Sequence, residues 1–292
     1  MLFIYCIENF PLEEMRYLVR TYYDGKNYYG YQRQPGLLTV EGKIINALIE
    51  TGHIDTAEEN QFRSASRTDR HVSAIGNVFA FDSNKEIIIN QINAKCPKDK
   101  SIICWSFGEA DKGFSPKYSK WKKYWYILPY SYVEKTTDLT IDEIKTLCSI
   151  FVGEHDYRLF CKIDHRDTNR NIYEINIKKK TDELIFEFIA PSFLWEQVRR
   201  IVAYILKYKK LSKELQKTEE LLIPQSKISS LNMMPASPNS LMLVEHHYEN
   251  ITWYKCNKSV LTIKKKIKDH LTKLKQEALL NSAIHDFFET CD

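Results

Sequence analysis

Residues 123 to 130, KYWYILPY, are apolar or aromatic at nearly every position. A strand of that kind needs cover on both faces and belongs in the middle of a sheet. Around it, runs of period two alternate with runs of period 3.6. RYLVRTYY (16–23) reads as a strand, and Asp24-Gly25-Lys26-Asn27 ends it with turn residues. Thr39 can cap a helix carrying Val40, Ile44 and Leu48, with Gly52 as its stop. A second strand follows at 76–82, and residues 85–95 are compatible with a helix. Beyond 123–130, Ile141, Ile144, Leu147 and Phe151 mark a helix. Tyr173, Ile175 and Ile177 alternate with polar residues, and KKKTDE turns that strand into LIFEFIA (184–190) as a hairpin. Leu194, Val198, Ile201, Val202 and Ile205 stripe a helix over 193–210, and Leu241 to Glu245 supplies a last strand. His155 and Asp156 read as a turn.

Strands and helices interleaved in each half define an α+β, or mixed α/β, architecture with mixed sheets flanked by helices. The expected divisions are an N-terminal extension (1–15), a first α/β half (16–117), a second (118–250) and a Lys-rich helical tail (251–292) on or near the second half. The tail reads as one or two surface helices. Its lysines fit a solvated face or a nucleic-acid contact.

Of the 292 residues, 43% are hydrophobic and 13% aromatic, enough for a sizeable core. The net charge of +4 is too small to identify a polyanionic partner by itself. Seven scattered cysteines with no CxxC pair argue against a disulfide framework or structural zinc, and for reduced thiols in the cytoplasm. The opening MLFIYCIENFPLEEM lacks a basic start and is soon interrupted by glutamates, unlike a signal peptide. No apolar run approaches the roughly 20 residues of a membrane span. His246 and His247 are adjacent and would face opposite sides of a strand. No metal is expected, and a metal-dependent nuclease would need a carboxylate or histidine cluster that is not found.

Three stretches could carry chemistry. In SASRTDRH (64–71), Asp69 lies between Arg67 and Arg70 at the mouth of an apolar strand. It can be an ordinary turn aspartate. It can equally be a nucleophile or base kept ionised by adjacent cations. Between 112 and 126, five lysines, among them Lys122 and Lys123, interleave with six aromatics, among them Tyr124. Lysines that hold phosphates and rings that stack on bases suit RNA. The same pattern fits a strand with core aromatics and solvated lysines. In FLWEQVRRIV (193–202), Arg199 either snorkels to the surface or turns inward to a carboxylate such as Asp69. The loop from Lys162 to Arg170, with Arg166, is a further basic segment that could meet phosphates.

Taken in order, TYYDGKNYYGYQRQP (21–35), SRTDRHVSA (66–74), KKYWYI (122–127), FVGEHDYRLFCK (151–162), FLWEQVRRIV and MPASPNSLMLVEHHY (234–248) resemble the motifs of the TruA family of tRNA pseudouridine synthases. The resemblance runs from about residue 16 to 248. It implies two pseudo-symmetric halves with a catalytic cleft between them, usually in a homodimer, and isomerisation of uridines in the tRNA anticodon stem-loop without cofactor or metal. It implies that Asp69 is the essential aspartate, that Tyr124 stacks on the target base, and that Arg199 pairs with the aspartate. Arg67, with Thr68 and Arg33, would hold the flipped nucleotide, and Lys122, Lys123, Arg166 and Arg170 would meet RNA. Two positions depart from the pattern: His71 stands where the family usually has glycine, and Tyr31 where tryptophan is common. Glycine there would serve a positive φ or close backbone approach. An impaired enzyme that only binds RNA on the same fold is the alternative reading.

The chemistry is consistent with these residues. The base must leave the stack, at a cost of a few kcal/mol. The aspartate must be charged to attack sugar or base, or to take the C2′ proton. An inward Arg199 would keep it charged in a dry pocket. Tyr124 could take the C5 proton only with a lowered pKa.

Overall fold

The computed structural model describes residues 14–207, 214–224, 231 and 233–290. The expected N-terminal extension falls mostly outside these residues, as does the end of the helix expected over 193–210.

In chain order the strands are β1 (Met15–Tyr23), β2 (Arg63–Ser64), β3 (Ser73–Ser83), β4 (Ile102–Ala110), β5 (Trp121–Pro129), β6 (Gly153–Asp156), β7 (Asn169–Ile172), β8 (Glu174–Lys179), β9 (Glu183–Ala190), β10 (Leu241–His247) and β11 (Tyr254–Lys255). The helices are α1 (Val40–Glu50), α2 (Ile89–Lys95), α3 (Tyr130–Thr136), α4 (Ile141–Ser149), α5 (Gln197–Lys207), α6 (Glu214–Leu221) and α7 (Asn257–Glu289). The helix starts follow local capping. Thr39 accepts from Gly42 N, and Thr140 forms a reciprocal capping box with Glu143.

One mixed sheet runs β11-β4-β1-β3-β10-β5-β9-β8, with β2 on β3; β6 and β7 pair separately. Strand β5 is central as expected, flanked by β10 and β9. Its cover is uneven: Lys122, Tyr124, Tyr126 and Leu128 are buried, while Trp121, Lys123, Trp125 and Ile127 are half-buried. The two halves join where β10 runs parallel to β3 (Met242 opposite Ser73, Leu243 opposite Ala74) and antiparallel to β5 (Leu243 opposite Tyr124). The start of β3 and Tyr124 are thus two strand spacings apart, about 10 Å. The main core fills one face of the sheet beneath α1, α2, α4 and α5. On the other face Leu18, Val78 and Ala80 pack with Phe114, Tyr248, Ile251 and Trp253.

One expectation is corrected. His155 and Asp156 lie in β6, paired to Arg170 and Asn169, rather than in a turn. The tail touches both halves: Ile251 and Trp253 pack with Tyr248 of the second. Strand β11 pairs with β4, and Asn93 Nδ2 donates to Ser259 Oγ (2.9 Å), both in the first half. It forms a single helix, α7, after β11.

Candidate active site

The loop ahead of β3 is fixed from three sides. Ser64 Oγ donates to Glu41 Oε1 of α1 (2.8 Å) and lies 3.1 Å from the Tyr31 hydroxyl. Asn77 Nδ2 donates to Ser66 O (3.0 Å), and Thr68 Oγ1 is 2.8 Å from the Tyr23 hydroxyl. Tyr31 N donates to Thr68 O (3.1 Å), and Val72 N closes a turn onto Asp69 O (3.2 Å). His71 adopts φ +69°, the conformation for which glycine is suited. The imidazole offsets part of the roughly 1 kcal/mol strain by donating from Nδ1 to Lys26 O (2.8 Å). Tyr31, completely buried, takes its place in the same scaffold through its hydroxyl and backbone N–H.

At the tip of this turn Asp69 Oδ2 accepts from Arg199 Nη1 at 3.0 Å, across 130 residues. The two side chains are 27% and 11% exposed. Arg199 is aimed by its own contacts: Nε donates to Ala236 O (2.7 Å), and Glu196 Oε1 lies 4.0 Å from Nη1. Glu196 is itself held by Arg200 (2.7 Å). The inward orientation of Arg199 is therefore the one realised. The flanking arginines do not supply the charge expected of them. Arg70 stacks on Tyr29, 4.3 Å from the ring centre, and Arg67 is exposed to solvent. Burial raises the Asp69 pKa above the usual carboxylate value. The Arg199 charge and hydrogen bonds from Arg199 and Trp195 oppose it, and the negative charge of Glu196 adds to it.

Tyr124 lies beside this pair, its ring edge-to-face with Phe193 at 5.2 Å. Burial pushes its pKa up, the Asp69 charge adds to the rise, and a hydrogen bond with Ser66 partly opposes it. The lowered pKa that a role as proton acceptor requires is not found.

The remaining residues separate. Thr68 faces inward on Tyr23 and is buried, so its side chain braces the loop rather than facing a ligand. Arg33 is engaged by Glu58 (3.2 Å) and Glu41 (3.6 Å). Lys122 is 8% exposed and donates to Ala65 O (3.3 Å). Burial, with the nearby Lys117 charge, pushes it down to about 8. It holds the loop from below and is not an open phosphate contact. Lys123 is half-buried, 5.3 Å from the Trp121 ring centre. Arg166 is paired with Asp164, and Arg170 Nη1 donates to Asp167 O (2.9 Å), so both are engaged within their own loop. Trp195, which the sequence did not single out, is 40% exposed, carries Lys162 Nζ 4.0 Å from its ring centre, and lies close enough to Asp69 to oppose the rise in its pKa. Among the described residues no group of three or more His, Cys, Asp or Glu side chains could hold a metal ion. No described helix is long and apolar enough to cross a membrane.

The site thus holds a partly buried carboxylate, Asp69, hydrogen-bonded to Arg199 beside the buried ring of Tyr124. Residues 147–249 match the family model described as tRNA pseudouridine synthase. A curated relative named tRNA pseudouridine synthase A from Methanosphaera stadtmanae is 35% identical over 273 residues, 91% of this chain and 97% of the relative. One of the same name from Pyrococcus furiosus is 33% identical over 275 residues, 93% and 97% of the two chains. The chain belongs to the tRNA pseudouridine synthase family and is an isomerase that converts uridine to pseudouridine.

Proposed function

We propose that the chain isomerises uridines in the anticodon stem-loop of tRNA, at family positions 38–40, with Asp69 as the reacting carboxylate. The observation that carries the reading is the 3.0 Å bond from Arg199 Nη1 to Asp69 Oδ2. It leaves the second oxygen of Asp69 for the substrate and favours the charged form in a site where an unpaired ion is costly.

The target base leaves the stack and enters beside Tyr124, with Arg67 filling the space it vacates. Ionised Asp69 then attacks the sugar or the base, or removes the C2′ proton. The bond from C1′ to N1 breaks, the base turns, and C1′ joins C5. The C5 proton must then leave. Tyr124, with its raised pKa, is poorly suited to accept it. Asp69, whose raised pKa makes it a stronger base than an exposed aspartate, is the better acceptor. The enzyme is taken to act in the cytoplasm as a homodimer; the five described thiols, Cys96, Cys104, Cys148, Cys161 and Cys256, are free, as suits that compartment.

The test is tritium release from C5-labelled uridine in an unmodified tRNA transcript. Wild type releases tritium; a folded Asp69→Asn variant that still binds tRNA releases none. Release by that variant at the wild-type rate would overturn the role of Asp69. Mapping the product by reverse-transcription stops at pseudouridine decides the position.

A further inference from the structure

Four side chains alternate in charge across the site: Asp69, Arg199, Glu196 and Arg200. Arg199 Nη1 is 3.0 Å from Asp69 Oδ2 and 4.0 Å from Glu196 Oε1, so one guanidinium nitrogen faces two carboxylates. Glu196 has a second cation: Arg200 donates to its Oε2 from Nε (3.0 Å) and Nη2 (2.7 Å). Main chain pins both arginines. Arg199 Nε donates to Ala236 O (2.7 Å), and Arg200 Nη1 donates to Met233 O (3.1 Å). The Glu196 side chain is 15% exposed, less than that of Asp69 at 27%, so salt and solvent screen its charge little.

The backbone at Glu196 is strained. The residue immediately precedes α5 and has φ +63°, the left-handed region that suits glycine and penalises a side chain. Such strain persists only where the surroundings fix it, and it gathers at functional sites. Among the described residues four that are not glycine have positive φ: Gln61, His71, Lys100 and Glu196. His71 lies two residues after Asp69, and Glu196 three before Arg199, on the two segments that the ion pair joins.

A carboxylate that has an arginine to itself is a stable anion and a poor base. Asp69 must be charged to attack, yet must later receive the C5 proton while the C5–H electron pair returns to the base as the C5=C6 double bond. Sharing Arg199 loosens its hold on Asp69 without releasing it, and the Glu196 charge acts toward a higher Asp69 pKa. The groups facing Asp69 are Arg199 from α5, Glu196 and Trp195 from the turn before it, and Tyr124 from β5; Arg70 is turned away onto Tyr29. Those facing Glu196 are Arg199 and Arg200.

We propose that Glu196 is a positioning residue for the isomerisation: it shares the Arg199 guanidinium with Asp69, and so leaves Asp69 able both to attack as an anion and to take up a proton afterwards. This rests on Asp69 as the reacting carboxylate.

The experiment is single-turnover tritium release against pH, with the tRNA Kd measured on the same samples. Release by wild type rises with pH as Asp69 ionises and then levels. In Glu196→Gln the rise moves to lower pH, because Arg199 then serves Asp69 alone. Its plateau falls roughly 10-fold, short of the roughly 100-fold of a displaced reacting group, with Kd unchanged. Glu196→Gly, which suits the positive φ and guards against a folding defect, shows the same shift. Arg200→Gln leaves the Glu196 charge unbalanced and moves the rise to higher pH. A rise that stays in place in both Glu196 variants overturns the proposal; a lowered plateau alone would make Glu196 a brace for α5. A shift to lower pH in Arg200→Gln overturns it as well. Asp69→Asn, run alongside, separates the two levels. Release by that variant at the wild-type rate would sink the role of Asp69 itself. No release by it, with both Glu196 variants unshifted, would leave Asp69 in its role and remove Glu196.

Discussion

Gly25 offers a direct probe of how tightly the Asp69 loop must be held. A Cβ added at Gly25 would lie 2.2 Å from Val72 O, 2.5 Å from Val72 C and 2.9 Å from His71 C. These are backbone atoms of the loop itself, and ordinary contact begins near 3.4 Å, so one of the two segments must retreat by about 1 Å. The retreat cannot be absorbed by a rotamer. It is resisted on one side by the bond from Gly25 N to Ser73 Oγ (3.0 Å) and on the other by the turn bond from Val72 N to Asp69 O. Asp69, meanwhile, stays tied to Arg199. Gly25→Ala is therefore expected to lower stability by about 1–3 kcal/mol, the usual cost of overpacking. Single-turnover tritium release should fall roughly 100-fold, the effect of a 1 Å misplacement of a reacting group. The control is Gly36→Ala, at φ +71° with nothing near the added carbon, which loses about 1 kcal/mol and keeps its rate. A Gly25→Ala enzyme with wild-type rate and melting temperature would refute the claim that close approach at this turn positions Asp69.

Lys122 makes a prediction about pH. Its folded-state pKa, about 8 against an ordinary 10.5, is depressed, so between those values the unfolded chain binds the extra proton and stability rises with pH. The gap corresponds to about 3 kcal/mol, of which Lys122→Met should recover all but the roughly 1 kcal/mol of its bond to Ala65 O at pH 7. Urea titrations at pH 7 and 10 check this; a stability rise over that range that persists unchanged in Lys122→Met refutes it. In the first half, Arg16 and Asp82 form a buried pair at 2.7 Å. Arg16→Met strands the carboxylate and should cost about 3–5 kcal/mol in urea denaturation, with partial recovery on adding Asp82→Asn.

Much of the fold was legible because period-two and period-3.6 runs are long and bounded by turn residues: β1, α1, β5, α4 and the β8–β9 hairpin lie within a few residues of where the pattern places them. Strand β4 was not singled out. Its Trp105, Ser106 and Glu109 break the apolar alternation, since it lies near the edge with only the two residues of β11 beyond it. Helix α3 follows Pro129 directly; its first residue, Tyr130, was read as the end of β5 and the rest was not singled out. At the site, Asp69 and Arg199 were identifiable by motif, but that Arg199 and not Arg67 or Arg70 holds the carboxylate depends on the tertiary path of α5. Lys122 was misread because a lysine among aromatics looks alike whether it faces in or out. Its parity with Tyr124, Tyr126 and Leu128, all buried, was the available signal. Trp195 carried no comparable signal: its place beside Asp69 follows from the turn into α5.

The position of β10 has a consequence for synthesis. Residues of β3 and β5 leave the ribosome more than a hundred residues before the strand that must lie between them. Until then the nascent chain carries two open strand edges facing a gap, the condition that invites intermolecular pairing. The wedge is also the last long strand of the sheet, so completing it demands contacts of large sequence separation, which slow folding. A chain cut short before Leu241 contains Asp69 and Tyr124 but lacks the strand that sets the distance between β3 and β5.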